Sequence, residues 1–500
     1  MLFNSYEYIM MFLPAALLVY FLLNRLFSGR IGVAWLVVAS LFFYSYWNIR
    51  YLPLILISIA VNYLTGSTLS RQAATQPTQP TEGRSFCWLL ANKRNVPLLG
   101  AGLCFNLGLL GYYKYTDFFI SNLNGLTGAH LALLHIILPL GISFFTFTQI
   151  AYLVDAYRGE VQEYSLLNYA LFVTFFPHLL AGPIIHHREM MPQFAAEDNK
   201  GVNYENLARG FFLLALGLFK KVIIADAFAV WANYGFDTAT HLTLLEAWIT
   251  SLSYTLQLYF DFSGYTDMAI GSALMFNIRL PINFNSPYKS RSIQEFWRRW
   301  HMTLSRFLRD YIYIPLGGNR HGQARIYFNV VITFLLGGLW HGAAWTFVFW
   351  GFLHGLALAV NRAWQRLGLP MNQVVGWLLT FNFVNVAWVF FRAKSWGDAA
   401  KVLSGMAGLQ GVSLPVSLSN RLGDLSAYGI KFGGFQLAGD LKQAVLMLGV
   451  FMLTVLVCKN SVELEARFQP NLIYGLITAA LALAAIINLN NITQFIYFNF

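Results

Sequence analysis

A histidine in apolar surroundings, His341, is the residue of this sequence best suited to chemistry. It follows a run from Val330 to Trp340 that carries no charge and has only Thr333 as a polar side chain. Glycine and alanine surround it in the segment GGLWHGAAW at 337–345. An ionisable side chain inside a long apolar run is costly and marks a functional site. Because a neutral imidazole in a dry site is a good general base for a hydroxyl group, we predict that His341 is catalytic.

A second histidine, His301, lies in the most basic part of the chain. Between residues 279 and 325 there are nine lysines and arginines against two acidic residues. Apolar residues recur at three- and four-residue spacing over 293–311, which predicts one continuous amphipathic helix that ends at the following proline and glycine pair. His301 falls at the border of its apolar face. We therefore predict acid–base chemistry at an interface, shared by His301 and His341.

The arginines beside His301 have two interpretations. If the helix lies flat at the membrane interface, its arginines reach lipid phosphates. Alternatively, part of the cluster attracts a phosphorylated substrate, such as the nucleotide end of coenzyme A. The two are compatible, and charge alone does not choose between them. The candidate substrate-binding residues are Trp297, Arg298, Arg299, Trp300 and Arg306, with Trp340 next to His341.

The remaining histidines carry weaker predictions. His354, in GFLHG, comes thirteen residues after His341, which is about 20 Å along a straight helix and out of phase with it. The two share a site only if the helix breaks between them, so we predict a packing or gating role for His354. His178, in FFPHLLAGPII, is a candidate because it too lies in an apolar run. Six others fall in polar or loop sequence and are expected to be solvated: His130, His135, His186, His187, His241 and His321.

The segment LYFDFSGYTDMAIG places Asp261 and Asp267 inside apolar sequence, together with Tyr265. Such groups usually form a buried hydrogen-bond network that holds helices together, and we favour that interpretation. The alternative is that Asp261 and Tyr265 line a substrate site or orient one imidazole. The sequence has no HxxxH, HExxH or Cys/His cluster, no GxSxG elbow and no phosphate-binding loop. We expect no metal site, no bound cofactor and no nucleic-acid partner.

The elements that position these residues must be membrane helices. Of the 500 residues, 57% are hydrophobic and 11% are charged, whereas about 25% are charged in a soluble domain. A span needs roughly 20 apolar residues. Apolar segments lie near residues 8–24, 31–47, 51–65, 97–120, 131–153, 166–185, 207–232, 245–275, 326–340, 344–361, 374–391, 443–458 and 472–488. We predict an all-α polytopic membrane protein, one domain over residues 1–500, with about eleven to thirteen membrane segments, some of them re-entrant or short.

Charge in the loops predicts the orientation of the chain. Arg25 and Arg30 directly follow the first apolar segment, so the positive-inside rule places that loop in the cytoplasm and the N-terminus outside. The polar stretch 66–96 is also rich in lysine and arginine and should be cytoplasmic, whereas 121–130 has neither and should lie outside. A Gly/Ser-rich stretch at 405–442 is the other hydrophilic segment. Because neither hydrophilic segment is long enough for a catalytic domain, chemistry must occur within or at the edge of the membrane.

Three motifs occur in a characteristic order: QLYFDFSGYTDMAIG, PYKSRSIQEFWRRWHMTLSRFLRDYIYIPLGGNR and LLGGLWHGAAWTFVFWGFLHG. Together they resemble the bacterial membrane-bound O-acyltransferase (MBOAT) family, and most closely its alginate O-acetylase branch. The segments MLFNSYEYIMMFLP, FPHLLAGPI, VAWVFFRA and FIYFNF extend the resemblance over essentially the whole chain. It implies an MBOAT-like ring of about 11 transmembrane helices, with re-entrant and amphipathic helices, around a central tunnel. His341 matches the near-invariant intramembrane histidine of the family, and His301 matches its second histidine.

The resemblance implies transfer of an acetyl group from a cytoplasmic thioester, with acetyl-CoA as the expected donor, across the membrane to an exported polysaccharide such as alginate. His341 would take the proton of the acceptor hydroxyl, and His301 or backbone amides would stabilise the oxyanion; an acyl-histidine intermediate is the alternative. Cellulose or peptidoglycan as acceptor, and D-alanyl transfer to teichoic acid, stay open. A polysaccharide or lipid-linked sugar transporter without chemistry is the competing class. The implied location is the bacterial inner membrane, and a periplasmic partner protein, expected to dock near 405–442, would complete the transfer.

Overall fold

Helices make up almost all the secondary structure of the computed structural model, which describes residues 1–74, 95–161, 165–489 and 495–496. The helices before residue 240 are α1 (Leu13–Leu26), α2 (Gly29–Ser45), α3 (Leu52–Ala74), α4 (Val96–Leu110), α5 (Thr116–Thr127), α6 (Ile142–Tyr157), α7 (Leu166–Thr174), α8 (Phe176–Leu179), α9 (His187–Ala195), α10 (Tyr204–Phe219) and α11 (Asp226–Asn233). Those after it are α12 (Leu244–Met275), α13 (Ile293–Trp297), α14 (Met302–Leu308), α15 (Gly322–His341), α16 (Trp345–Arg366), α17 (Gln373–Arg392), α18 (Trp396–Met406), α19 (Ser419–Leu422), α20 (Leu441–Val457), α21 (Ser461–Glu465) and α22 (Leu472–Ile487). Two short strands, β1 (Ser413–Leu414) and β2 (Lys431–Phe432), pair in parallel.

Short π-helical segments interrupt several of these helices. Gly111–Tyr115 joins α4 to α5, and Lys220–Ala225 joins α10 to α11, so each pair forms one continuous rod. A third segment, Arg309–Tyr313, extends α14. Because a π-helical turn widens the helix and redirects its side chains, such turns are frequent at functional sites. Gly111–Tyr115 contacts the end of the helix that carries His341, and Arg309 and Tyr313 of the third segment line a cleft next to His301.

The longest helix, α12, lies at the centre of the protein. It begins with a capping box in which Thr243 and Glu246 satisfy each other's backbone groups, and it is buried over almost all of its 32 residues. It packs against α10, α11, α17 and α18. Two polar side chains of this buried helix share a partner on α17, since Asn385 bridges Ser251 and Thr255 at 2.8 and 2.7 Å. A helix that is buried on every side belongs to the interior rather than to the lipid-facing surface.

Helices α15 and α16 form a tight hairpin that ends in the candidate site. Gly338 and Gly351 face each other, and a Cβ on either glycine would overlap the backbone of the other helix. The glycines therefore allow the two backbones to approach, as small residues do between membrane helices. The chain reverses through Gly342, whose backbone is extended. His341 is the last residue of α15 and sits at this reversal.

The structure confirms an all-α polytopic membrane protein. Among the described residues, four helical stretches are long and apolar enough to cross a membrane: Glu7–Leu26, Ile49–Ala73, Val96–Thr127 and Gln373–Arg392. Three shorter apolar helices are α2, α20 and α22. Most of the other expected segments are helical at the predicted positions. They fall below this length or this apolar composition.

Four local predictions were wrong. The expected segment 131–153 becomes helical only at Ile142, and 166–185 is split into α7 and α8 because Pro177 follows an extended Phe175. The first part of the predicted loop 66–96 is the end of α3, while residues 75–94 lie outside the described residues. The amphipathic helix predicted over 293–311 is broken in the middle, with consequences for the site.

Candidate active site

His341 sits in an aromatic box at the end of α15. Its ring lies 4.9 Å from that of Trp340 and 5.1 Å from those of Trp350 and Phe391, measured between centroids. The side chain is buried. The helix ends here because Gly342 leaves the helical conformation, and this places the imidazole at a helix terminus rather than inside a regular turn. A histidine enclosed by aromatic rings is desolvated, which suits a neutral base.

His301 lies next to His341, and the break in the predicted amphipathic helix puts it there. It is the N-cap residue of α14, in a left-handed conformation with φ of 43° and ψ of 53°. This conformation costs a residue with a side chain about 1–2 kcal/mol. The two imidazole centroids are 6.2 Å apart, and His301 is fully buried. Strained residues of this kind concentrate at functional sites.

Asn283 fixes the orientation and the protonation of His301. Its Oδ1 accepts hydrogen bonds from the backbone N–H and the hydroxyl of Thr303, at 3.2 and 3.0 Å. The same oxygen lies 3.1 Å from Nδ1 of His301. Because a backbone N–H can only donate, this atom of Asn283 is the acceptor, and Nδ1 of His301 must carry the proton. Nε2 is then the acceptor atom of the neutral ring.

His354 is one aromatic layer away from His341. The helix does break between them, at Gly342, and the ring of Trp350 lies 5.1 Å from His341 and 4.7 Å from His354. Nδ1 of His354 accepts a hydrogen bond of 3.2 Å from the indole N–H of Trp297. This contact supports the predicted packing role, since His354 holds Trp297 in place.

The predicted substrate-binding residues separate into three groups. Trp300 belongs to the core, where it contacts Trp388 and Phe284 at 5.0 Å. Arg299 is occupied by an ion pair of 2.9 Å with Glu295. The third group lies at the candidate site. Trp340 stacks on Phe147 and contacts both imidazoles. Trp297, Arg298 and Arg306 line the cleft that is described next.

A cleft of about 670 Å³ opens next to His301: the two residues that follow this histidine, Met302 and Thr303, line the cleft, whereas the two imidazoles do not. Its inner wall is apolar, with Leu308, Val330, Phe334 and Leu358, and its rim carries Arg298, Arg306, Arg309 and Arg362. Arg306 pairs with Glu189, and Arg309 with Asp310. Arg298 and Arg362 have no carboxylate partner among the described residues, so they are the cations available to an anionic ligand. Thr303, which shares Asn283 with His301, also lines the cleft and separates it from the imidazole.

A second, strongly charged cavity of about 480 Å³ adjoins the first and shares Arg306 and Arg309 with it. At its edge the hydroxyl of Tyr311 donates to Asp155 at 2.9 Å and lies 3.2 Å from Nδ1 of His186. The prediction that His186 and His187 are solvated was wrong, since both are buried. Burial, together with the nearby Arg306, lowers the pKa of His186 to about 4.

The other polar candidates contact residues of the helix packing and lie away from the cleft. Asp261 forms a 2.7 Å ion pair with Lys221 and accepts a hydrogen bond of 3.1 Å from the backbone of Ile496. Tyr265 stacks between Phe3 and Phe495. Their neighbour on α12, Phe262, is the residue that meets His301, with ring centroids 4.8 Å apart. His178 is bonded to the carbonyl oxygen of Phe172 at 3.0 Å.

Sequence reasoning did not find Asn283, Arg362 or Lys114, all of which belong to the site or its support. Asn283 is a polar residue in a short loop and carries no pattern. Lys114 could have been noticed in the sequence, because it is a lone charge inside the apolar stretch predicted near 97–120. Nothing in the local sequence links it to a histidine more than two hundred residues further along.

A polytopic helical protein that buries two histidines beside an arginine-rimmed cleft has the parts of a membrane-embedded transferase. Comparison with known proteins makes this definite: the sequence profile of MBOAT, the membrane-bound O-acyltransferase family, matches residues 41–395, and the chain belongs to that family. It is an O-acyltransferase. The resemblance noted from the sequence motifs is thereby confirmed, and the transporter alternative is set aside.

Named relatives show which members of the family are similar. The chain is 51% identical to a peptidoglycan O-acetyltransferase of Helicobacter pylori over 444 residues, covering 83% of this chain and 81% of the relative. It is 41% identical to a probable alginate O-acetylase AlgI of Pseudomonas putida, covering 81% and 80%. A teichoic acid D-alanyltransferase of Bacillus subtilis is 30% identical over 51% of this chain and 69% of the relative. The similarity therefore supports O-acetylation of a polysaccharide and does not single out alginate.

Proposed function

We propose that this protein transfers an acetyl group from a cytoplasmic thioester, acetyl-CoA, through the membrane to a hydroxyl group of an exported glycan. The observation that carries the proposal is the pair of buried imidazoles, 6.2 Å apart, beside a cleft rimmed by arginines. The D-alanyl alternative is less favoured because that relative aligns with only half of the chain. Among acceptors, peptidoglycan is favoured over alginate by the identities of 51% and 41%.

In the proposed reaction, His341 removes the proton of the acceptor hydroxyl as its oxygen attacks the thioester carbonyl carbon. The carbon–sulfur bond then breaks, and the thiolate leaves with the proton that His341 gives up. Neutral His301 presents Nε2 as an acceptor, because its ring proton is held by Asn283. It therefore supports the charge that develops on His341, rather than stabilising the oxyanion as the sequence suggested.

The oxyanion needs hydrogen-bond donors that have no other partner. The indole N–H groups of Trp340 and Trp350 fit this need, since neither has an acceptor among the described residues and both rings contact His341. A buried donor without an acceptor costs stability unless a ligand supplies one. We assign the two tryptophans to the carbonyl oxygen of the thioester.

Arg298 and Arg362 are assigned to the phosphates of the donor. The apolar wall of the cleft, with Leu308 and Phe334, would hold the chain between the phosphates and the thioester. Changing each arginine to glutamine should raise the KM for acetyl-CoA by about tenfold, the loss of one charge-assisted hydrogen bond, with kcat retained. Arg366→Gln is the matched control, on the same helix as Arg362 and exposed. An unchanged KM in both cleft variants would remove the donor from this cleft.

We propose further that the arginine rim faces the cytoplasm, that the protein lies in a bacterial inner membrane, and that its N-terminus lies outside. The stretch 405–442 then lies on the outer side, where β1 and β2 form a small exposed layer. Leu409 and Tyr428 are 79% and 84% exposed there. We propose this layer as the docking place for a periplasmic partner protein that completes the transfer by presenting a hydroxyl group of the polymer to the site.

The decisive experiment measures ester-linked acetate on envelope polymers. Peptidoglycan and exopolysaccharide are isolated from cells with the native gene, no gene, His341→Ala or the exposed control His130→Ala, at matched membrane abundance. Mild base and mass spectrometry then quantify the released acids. Acetate on peptidoglycan that requires His341 and not His130 supports the proposal. If acetate were found on exopolysaccharide alone, the acceptor would be exopolysaccharide and not peptidoglycan. If alanine were released, the transferred group would be D-alanyl and not acetyl. Equal ester content in all strains would refute the assignment.

A further inference from the structure

A lysine inside the membrane region, Lys114, contacts the end of the helix that carries His341. It lies in the π-helical segment Gly111–Tyr115, between α4 and α5. Its Nζ donates to the carbonyl oxygen of Trp340 and, at 3.1 Å, to that of His341. It also lies 3.4 Å from the hydroxyl of Ser143, at the start of α6. One ammonium group thus joins three helices at the site.

The neighbouring residue completes this contact. The hydroxyl of Tyr115 donates to the carbonyl oxygen of Leu339 at 2.8 Å. Lys114 and Tyr115 therefore satisfy the last three carbonyls of α15, from Leu339 to His341. The final carbonyls of a helix have no partner within the helix and carry its negative partial charge. A cation and a hydroxyl group placed there neutralise a helix end that water cannot reach.

Burying the charge of this lysine inside the membrane region costs free energy. Within the part of the chain that the structure describes, Lys114 makes no ion pair with a carboxylate; its contacts are the two carbonyls, Ser143 and the ring of Trp340, at 5.9 Å. Charged residues inside membrane proteins are rare and are retained for function. A helix end could be capped more cheaply by a neutral side chain, so the charge itself has a use.

We propose that Lys114 is a positioning residue for the acyl transfer: with Tyr115, it holds the end of α15 so that His341 stays beside His301. Its charge also balances the carbonyl dipoles at the end of α15. This inference rests on the proposed role of His341. Lys114 would not touch the acetyl donor or the acceptor; it would act through the backbone of His341, which does.

The test compares Lys114→Met, Lys114→Arg and Tyr115→Phe with the exposed controls Tyr112→Phe and Lys394→Met. Purified protein in detergent is assayed by thiol release from acetyl-CoA, with soluble peptidoglycan fragments as the acceptor. Lys114→Met should lower kcat at least about tenfold, since small displacements of a catalytic group cost that much, with KM unchanged. Lys114→Arg should restore most of the turnover, because it keeps a cation at the carbonyls. A KM effect without a kcat effect, or full turnover in Lys114→Met, would overturn the proposal.

Two further measurements separate this inference from the proposed function and from misfolding. Diethyl pyrocarbonate modification of His341, followed by mass spectrometry, should be faster in Lys114→Met, while exposed His130 reacts equally in all variants. The labelling of His341 needs no substrate. If the native protein released no thiol, acetyl-CoA would be excluded as the donor, and the labelling would still test the positioning role of Lys114. If Lys114→Met does not fold, Tyr115→Phe decides: unchanged kcat and unchanged His341 labelling would refute the role.

Discussion

Replacement of Asn283 by alanine should separate the orientation of His301 from its presence. One oxygen of Asn283 accepts from the His301 ring, the Thr303 N–H and the Thr303 hydroxyl, and its backbone carbonyl accepts from Met302 at 3.0 Å. Together these contacts hold His301 in its left-handed conformation. The variant Asn283→Ala loses the three side-chain contacts at once, while the imidazole itself remains.

The magnitude follows from these contacts. A buried hydrogen bond contributes about 1 kcal/mol net, and because the three share one oxygen we expect a loss of about 2–3 kcal/mol in the free energy of unfolding. For a chain of this length that corresponds to a fall of about 2–3 °C in the unfolding temperature. Loss of a partner that orients a functional histidine typically costs about 10- to 100-fold in activity. We therefore expect kcat to fall far more than stability predicts.

The assay is acetyl-CoA cleavage by the purified variant in the presence of soluble peptidoglycan fragments as acceptor, with unfolding followed by intrinsic fluorescence. Asn285→Ala is the matched control: it lies in the same loop and loses one side-chain contact, a 2.8 Å hydrogen bond from Asn460. It should keep kcat within about twofold of the native value. If Asn283→Ala also stays within that range while its unfolding temperature falls, His301 does not need a fixed orientation, and its assigned role is wrong.

Two predictions concern the frame around the site. Gly351→Ala should destabilise the α15–α16 hairpin by about 1–3 kcal/mol, the cost of overpacking, because its Cβ would overlap the facing backbone; Gly449→Ala, with open space around it, is the control in thermal unfolding, and equal stability of the two would contradict the packing. Lys221→Met should cost about 3–5 kcal/mol, because Asp226 and Asp261 lose their shared cation. Adding Asp261→Asn should restore part of that loss, and no recovery in the double variant would show that the ion pair is not the cause.

Local patterns in the sequence predicted a large part of the architecture. Apolar length places most helices to within a few residues, because a helix that meets lipid or a dry core must be apolar over its whole length. The small residues around His341 correctly indicated close backbone approach. The break at His301 was not predictable in this way, since apolar periodicity runs straight through it. It arises because Asn283 and Met302 stabilise a left-handed residue that local sequence disfavours.

The sequence by itself determined that this is a membrane protein, that its charge is concentrated beside His301, and that His341 is an ionisable group without local polar neighbours. These are properties of segments, and they follow from how side chains partition between water and apolar surroundings. Only the tertiary structure decided that His301 and His341 face each other, and that Asn283 and Lys114 support them. Such contacts join residues far apart in the chain, and they depend on how whole helices pack rather than on any local preference.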